Sequence, residues 1–206
     1  MNEPGTVFIV DDDESIIKPI VKMAEALGLK TLTYHSAIDF LDQCRPSGPA
    51  CLVLDIWMPE MSGVALLTRM TEAQLTLPVI VISAHADVRL AVEIMRKGAL
   101  NFLEKPFRMH ELAESIQEAI RLDREAWCRH EVQESARNRF SQLSLTERQV
   151  LELLLANKTN KMIADQLGIS VRTVENRRAR IMRKLDVESR AQLLEMGQAG
   201  HVPAVF

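Results

Sequence analysis

The sequence predicts two architectures in series: a doubly wound α/β domain on a five-stranded parallel sheet, then a helical linker and a small all-α domain. Three observations lead there. Five short apolar runs punctuate roughly the first 120 residues. They are continuous rather than alternating, as expected of strands buried on both faces beneath helices. Beyond that point no strand-like run survives, and apolar residues recur only at helical spacing.

The first run is Val7-Phe8-Ile9-Val10. Ile16, Ile20, Met23, Ala24 and Leu27 then follow at helical spacing, and Gly28 closes that helix. The other runs are Thr31-Leu32-Thr33-Tyr34, Cys51-Leu52-Val53-Leu54, Val79-Ile80-Val81-Ile82 and Asn101-Phe102-Leu103. Five strands and five helices in this length make one compact layered domain. Residues 109–140 are mostly charged, with sparse apolar positions at Leu112, Ile116, Ile120 and Trp127; they read as the last helix of that domain running on into a linker. From Leu143 short helices follow in quick succession. Ser144 and Glu147 form a capping box ahead of Val150, Leu151, Leu154 and Leu155. Asn160 is expected to cap a second helix that Gly168 ends, Ser170 a third, and Ser189 a fourth, an apolar helix over 190–199 that includes Leu194, Met196 and Ala199. The expected divisions are 1–122, 123–142 and 143–206.

Composition narrows the classes. A chain of 206 residues is too long for a disulfide-stapled miniprotein, and 47% hydrophobic with 26% charged residues excludes wholesale disorder. No apolar run approaches the roughly 18 residues that a membrane span needs, and no basic, apolar, cleavable segment opens the chain. Cys44, Cys51 and Cys128 are odd in number and scattered, so the expected setting is a reducing cytoplasm with no membrane partner. His35, His85, His110, His130 and His201 share no ligand spacing with them, which argues against structural zinc. The net charge of −3 hides an asymmetry: residues 1–124 hold 12 Lys+Arg against 18 Asp+Glu, and residues 125–206 hold 13 against 10. An acidic front and a basic back fit different partners, the second a polyanion.

Chemistry in an open parallel sheet sits beyond the carboxyl ends of its strands. Strand one ends in Asp11-Asp12-Asp13, strand three in Asp55 and strand four in Ser83, and Lys105 follows strand five. Clustered carboxylates repel one another and call for a cation. Oxygen ligands select a hard ion, with Mg2+ the leading candidate. An ionised aspartate needs no general base to act as a nucleophile. A cation, a lysine and a serine hydroxyl together suit a phosphoryl group arriving on that aspartate.

Val10-Asp11-Asp12-Asp13, Asp55-Ile56-Trp57-Met58-Pro59-Glu60-Met61-Ser62-Gly63, Ser83-Ala84 and Glu104-Lys105-Pro106-Phe107 resemble the motifs of two-component response regulator receiver domains, which are flavodoxin-like. The resemblance covers roughly the first 120 residues. It implies that Asp55 is the phosphoacceptor and that Asp11, Asp12, Asp55 and the backbone carbonyl of Trp57 hold Mg2+. It further implies that Ser83 is the switch hydroxyl, Phe102 the switch aromatic and Lys105 a phosphoryl-stabilising cation. Phe102 is also suited to plain core packing. Lys105-Pro106 matches a bond that is often cis in the family. Pro19, early in the first helix, departs from the pattern and is expected to kink that helix.

The basic back carries a second motif. Lys161 to Leu167 form a short helix, Gly168-Ile169-Ser170 a tight turn, and Val171 to Leu185 a second helix, the layout of a helix-turn-helix. Val174, Ile181 and Leu185 share one face and should be core, while Arg172, Asn176, Ala179, Arg180 and Arg183 lie opposite. Arginine and asparagine suit guanine and adenine edges. Lys161, Lys184 and some of the arginines are expected at phosphates, and Thr173 and Arg177 complete the DNA-contact set. Leu143 to Leu151, Asn160 to Ala164 and Leu167 to Glu175 resemble the LuxR-type domain of NarL/FixJ response regulators, with departures at Ser144 and Thr146. Arg178 lies within the expected core face and is expected to pair with Glu147, because an unpartnered charge there would be costly.

Together these features imply a bacterial transcription regulator, not an enzyme. A histidine kinase would phosphorylate Asp55, the face made by the fourth helix, fifth strand and fifth helix would pair with its copy, and the homodimer would bind double-stranded DNA. A competing reading is a haloacid-dehalogenase-like phosphatase, since Asp11-x-Asp13-x-Ser15 resembles that family's nucleophile motif. It leaves the Asp55 motif and the helix-turn-helix without a role.

Overall fold

The computed structural model describes residues 4–84, 87–189 and 191–193. The chain divides into two compact units, residues 1–128 and 129–206. In the first, β1 (Thr6–Val10), α1 (Glu14–Ala26), β2 (Lys30–Tyr34), α2 (Ala37–Gln43), β3 (Ala50–Asp55), α3 (Gly63–Glu72), β4 (Val79–Ser83), α4 (Val88–Arg96) and β5 (Asn101–Glu104) alternate, and the long α5 (Met109–Ser141) follows. The five strands form one parallel sheet in the order β2-β1-β3-β4-β5. Each expected apolar run is a strand, extended by one or two residues. The strand order reverses between β1 and β3, which opens a crevice beyond their carboxyl ends.

Period-two alternation sends each central strand's side chains to two cores. Phe8, Val10, Leu52, Leu54 and Val81 pack with Phe40, Leu66 and Ile94 on one face. Val7, Ile9, Val53, Ile80 and Ile82 pack with Ile17, Ile20, Leu112 and Ile116 on the other. β1, β3 and β4 are therefore buried almost throughout. β2 departs from the expected two-sided burial: it is an edge strand, with Lys30, Leu32 and Thr33 exposed. Its Tyr34 still reaches inward, edge-on to Phe40 at 5.4 Å between ring centres.

Helix starts follow local side-chain chemistry. Asp13, Ser36, Ser62 and Asp87 each accept a backbone N–H at the first turn of α1, α2, α3 and α4. Pro19 lies within α1, which still runs as one helix from Glu14 to Ala26.

In the second unit the end of α5 is followed by α6 (Leu145–Leu155), α7 (Asn160–Leu167) and α8 (Val171–Leu185). Val150, Leu151, Leu154, Ile163, Val174, Ile181 and Leu185 form its core. The Ser144–Glu147 capping box is present, Gly168 ends α7 in the left-handed conformation, and Ser170 caps α8. Ser189 Oγ accepts from Gln192 N, as expected for a cap; the rest of the 190–199 helix, with Leu194, Met196 and Ala199, lies outside the described residues. Two expectations need revision. The N-cap of α7 is Thr159, whose hydroxyl accepts from Met162 N, and Asn160 is the first helical residue. The stretch 123–142 is also more than a connector, because Ala136 and Phe140 are buried in the second core beside Leu143.

The loop after β3 is tightly folded. Gly63 N donates to Ile56 O at 2.9 Å, and a Cβ at Gly63 would run into the Asp55 carbonyl and lie 2.9 Å from Ile56 Cα. Both are backbone atoms of the segment carrying Asp55, so neither yields cheaply. Gly63→Ala is expected to destabilise the first unit by about 1–3 kcal/mol, measured by urea unfolding against the native chain.

Candidate functional site

The parallel register aligns the strand ends at one rim. Val10 pairs with Leu54, Asp55 with Ile82 and Ser83 with Glu104, so residues at or just after four strands meet. Asp11 is fully buried. Its Oδ1 accepts from Asp13 N at 2.8 Å and its Oδ2 from Lys105 Nζ at 2.7 Å. Asp55 ends β3 and is 4% exposed. Its Oδ1 lies 3.2 Å from the same ammonium, and this buried oxygen has no other polar contact among the described residues. One oxygen each from Asp11, Asp12 and Asp55 falls within 4.8 Å of the others, and Asp12 is exposed at the crevice. Ser83 is buried at the end of β4, and its carbonyl accepts from Lys105 N at 2.7 Å. The Lys105-Pro106 bond is cis.

Burial pushes the Asp55 carboxyl above the usual range, against the Lys105 charge, and Asp11 adds to the rise. For Lys105 burial acts downward, but the bond to Asp11 and the charges of Asp11 and Asp55 outweigh it and raise the ammonium. One lysine thus faces three carboxylates. An oxygen-only donor set, a surplus of negative charge and a buried oxygen with no hydrogen-bond partner among the described residues all suit a hard divalent cation.

The remaining residues of this group are distributed as follows. Trp57 is 57% exposed beyond the site. Phe102 is half-buried on β5 and packs against the core cluster that contains Leu54 and Val81. Asp13 caps α1, and its hydrogen bonds to Ser15 hold its carboxyl below the usual value.

In the second unit α8 is two-faced. Val174, Ile181 and Leu185 are fully buried, and Arg172, Asn176, Ala179, Arg180 and Arg183 are exposed. Lys161 is exposed at the start of α7, and Arg177 is half-buried. Thr173 is also half-buried and takes part in the α8 cap, its hydroxyl 2.8 Å from that of Ser170. The expected Arg178–Glu147 pair is not the one formed. Glu147 is bound by Lys184, with Nζ to Oε2 at 2.7 Å. Lys184 also donates to Gln142 O at 3.1 Å, so a DNA phosphate would have to compete for its ammonium. Arg178 is half-buried. Two contacts carried no signal in the sequence. Asp123 Oδ2 accepts from Ala50 N at 2.8 Å, and Arg139 Nη1 donates to Leu185 O at 3.0 Å. Both join residues far apart in the chain through bonds to backbone atoms.

A doubly wound sheet with this rim, joined to a helix-turn-helix, defines a class: receiver-bearing DNA-binding proteins. The comparisons with known proteins agree. Residues 7–117 match the response regulator receiver domain and residues 141–197 the bacterial regulatory proteins of the luxR family. The chain belongs to the response regulators of the NarL/FixJ type. It is 40% identical to the transcriptional regulatory protein FixJ of Rhizobium meliloti, over 95% of this chain and 96% of that one. To FixJ of Azorhizobium caulinodans it is 38% identical over 99% and 97%. Among solved structures, the response regulator StyR superposes with a TM-score of 0.89 at 37% identity, covering 95% of this chain and 99% of that one. Such an architecture is that of a two-component transcriptional regulator and not of an enzyme, and it implies a histidine kinase and DNA as partners. No helix among the described residues is long and apolar enough to cross a membrane.

The Glu147–Lys184 pair has a pH signature. The bond from Lys184 holds the Glu147 carboxyl below its usual value, against burial. A depressed carboxylate adds stability above its unfolded pKa of about 4.3, and that stability is lost as pH falls through the lower folded value. A double-mutant cycle with Glu147→Gln and Lys184→Met should give a coupling of about 1 kcal/mol at pH 7, reduced by solvent at the half-exposed lysine. The coupling should begin to fall below about pH 4.3 and vanish only once the pH lies beneath the depressed folded value of Glu147; thermal unfolding across pH checks it.

Proposed function

We propose that this chain is a phosphorylation-switched transcription regulator in which Asp55 is the phosphoacceptor. The carrying observation is the buried Asp55 carboxylate, whose Oδ1 lies in charge contact with Lys105 at 3.2 Å and beside the carboxylates of Asp11 and Asp12. An Asp55 carboxylate oxygen attacks the phosphorus of a kinase phosphohistidine; the P–O bond forms, the P–N bond breaks, and the imidazole leaves with a proton. Asp11, Asp12, Asp55 and the Trp57 carbonyl would hold Mg2+, which when bound supplies positive charge to the phosphoryl oxygens. Lys105 provides the protein's own cation, already held at the rim by Asp11. The Ser83 hydroxyl would donate to a phosphoryl oxygen, and Phe102 would follow it inward as the switch aromatic.

The switch has an outlet on α4. Val88, Val92 and Met95 are spaced for one helical face and are 77%, 44% and 47% exposed. That stripe supports the reading that α4, β5 and α5 form a homodimer face after phosphorylation. The receiver would extend to about residue 122 and the LuxR-type domain from about 143, with the end of α5 adding Ala136 and Phe140 to the second core. In the cytoplasm, Arg172, Asn176, Arg180 and Arg183 of α8 would enter the major groove, with Lys161, Thr173, Arg177 and Lys184 toward the backbone. The arginine-rich outer face of α8 supports this reading.

Acetyl phosphate with Mg2+ should add one phosphoryl group to the native chain by intact mass, and Asp55→Asn should take up essentially none. Beryllofluoride should raise both dimer fraction and DNA affinity, the first read by sedimentation velocity. Retained labelling in Asp55→Asn would move the acceptor elsewhere, and an unchanged sedimentation coefficient would remove the dimer switch.

A further inference from the structure

The last turn of α8 is held from outside the matched LuxR-type segment. Arg139 stands two residues before that segment begins, on α5. Its Nη1 donates to Leu185 O at 3.0 Å, and its Nη2 lies 3.5 Å from Asp186 Oδ2. Leu185 ends α8, and Asp186 turns the chain away with φ of 56°. Carbonyls in a helix's last turn have no donor within the helix, and a cation there also meets the negative end of the helix dipole. Neighbouring residues fix Arg139 in place. Ala136 and Phe140 are buried in the second core, as is Leu185, and Lys184 ties the same end of α8 to Gln142 O.

We propose that Arg139 is a positioning residue for DNA binding: from α5 it caps the C-terminus of α8 and sets how the recognition helix is seated. The inference rests on α8 being the DNA-reading helix. Arg139 is half-buried, and its guanidinium bonds to the carbonyl of a core leucine, not to an open surface. Deleting it leaves that carbonyl short of a donor and loosens the turn that follows Arg183. The exposed arginines then lose a common frame, although each keeps its charge. A phosphate-contacting arginine behaves differently: its loss weakens binding to all DNA about equally and lowers the salt slope by about one.

The test uses the full chain with beryllofluoride and a duplex that the native chain selects from a random-sequence pool, beside an unrelated duplex of equal length. Arg139→Ala should bind the selected duplex about tenfold more weakly and the unrelated duplex equally well, with an unchanged salt slope. Amide hydrogen exchange should quicken at 183–187. Arg139→Lys, which keeps the charge and one donor, should recover part of the loss, and it carries the test if the alanine variant fails to fold. A salt slope lower by one would make Arg139 a direct phosphate contact and overturn the proposal, as would unchanged affinity for the selected duplex. If the native chain enriches no sequence, DNA reading by α8 fails, and this inference falls with it.

Discussion

Lys105 sits between two buried carboxylates and cannot neutralise the three that the sheet collects. That imbalance is the constraint on which the receiver depends. β1 and β3 are adjacent and in register, so Asp11 and Asp55 are brought side by side by the same ladder that builds the core. Moving either away would cost the buried apolar packing of its strand. The fold thus concentrates negative charge at a rim where only Asp12 faces water, and Lys105 relieves part of it through Asp11 and Asp55. Burial raises the Asp55 carboxyl, and the neighbouring Asp11 charge adds to that rise. A site under such tension responds strongly to an arriving cation or phosphoryl group, and a switch requires that responsiveness.

The second unit solves a different problem. Its small core must hold a highly charged helix at a defined angle, and α8 carries few apolar residues with which to do so. Val174, Ile181 and Leu185 supply the buried stripe, and polar bonds at both ends complete the fixation. Ser170 secures the N-terminus, while Lys184 with Glu147, and Arg139 with Leu185 O, secure the C-terminus. The outward arginines are left to solvent or a ligand because these anchors lie on the other side or at the ends.

Much of this was legible in the residues, for reasons that differ by element. Val7 to Val10 and Val79 to Ile82 are uninterrupted apolar runs, and only a doubly covered strand accounts for such a run in so short a space. The rim residues were legible because strand ends are where chemistry collects, and the Asp55 motif named the family. Neighbouring residues with equal capping chemistry were not separable, so Thr159 took the role expected of Asn160. Ala136, Phe140 and Leu143 recur at helical spacing within a charged stretch, a stripe too short to stand out from a linker. Glu147 exposes the deeper limit. Periodicity shows which face of α8 a residue occupies, but not which level along its axis meets α6, so Lys184 replaced Arg178 as its partner.

The central claim is that the three aspartates form one cation site. Thermal unfolding of the native chain with Mg2+, against Na+ at equal ionic strength, tests it most directly. At one hundred times Kd the stabilisation should reach about 2.7 kcal/mol, seen as a higher Tm. Asp12→Ala removes an exposed side chain with little cost to folding, and it should lose most of that gain. An equal rise in Asp12→Ala, or no rise in the native chain, would contradict the account.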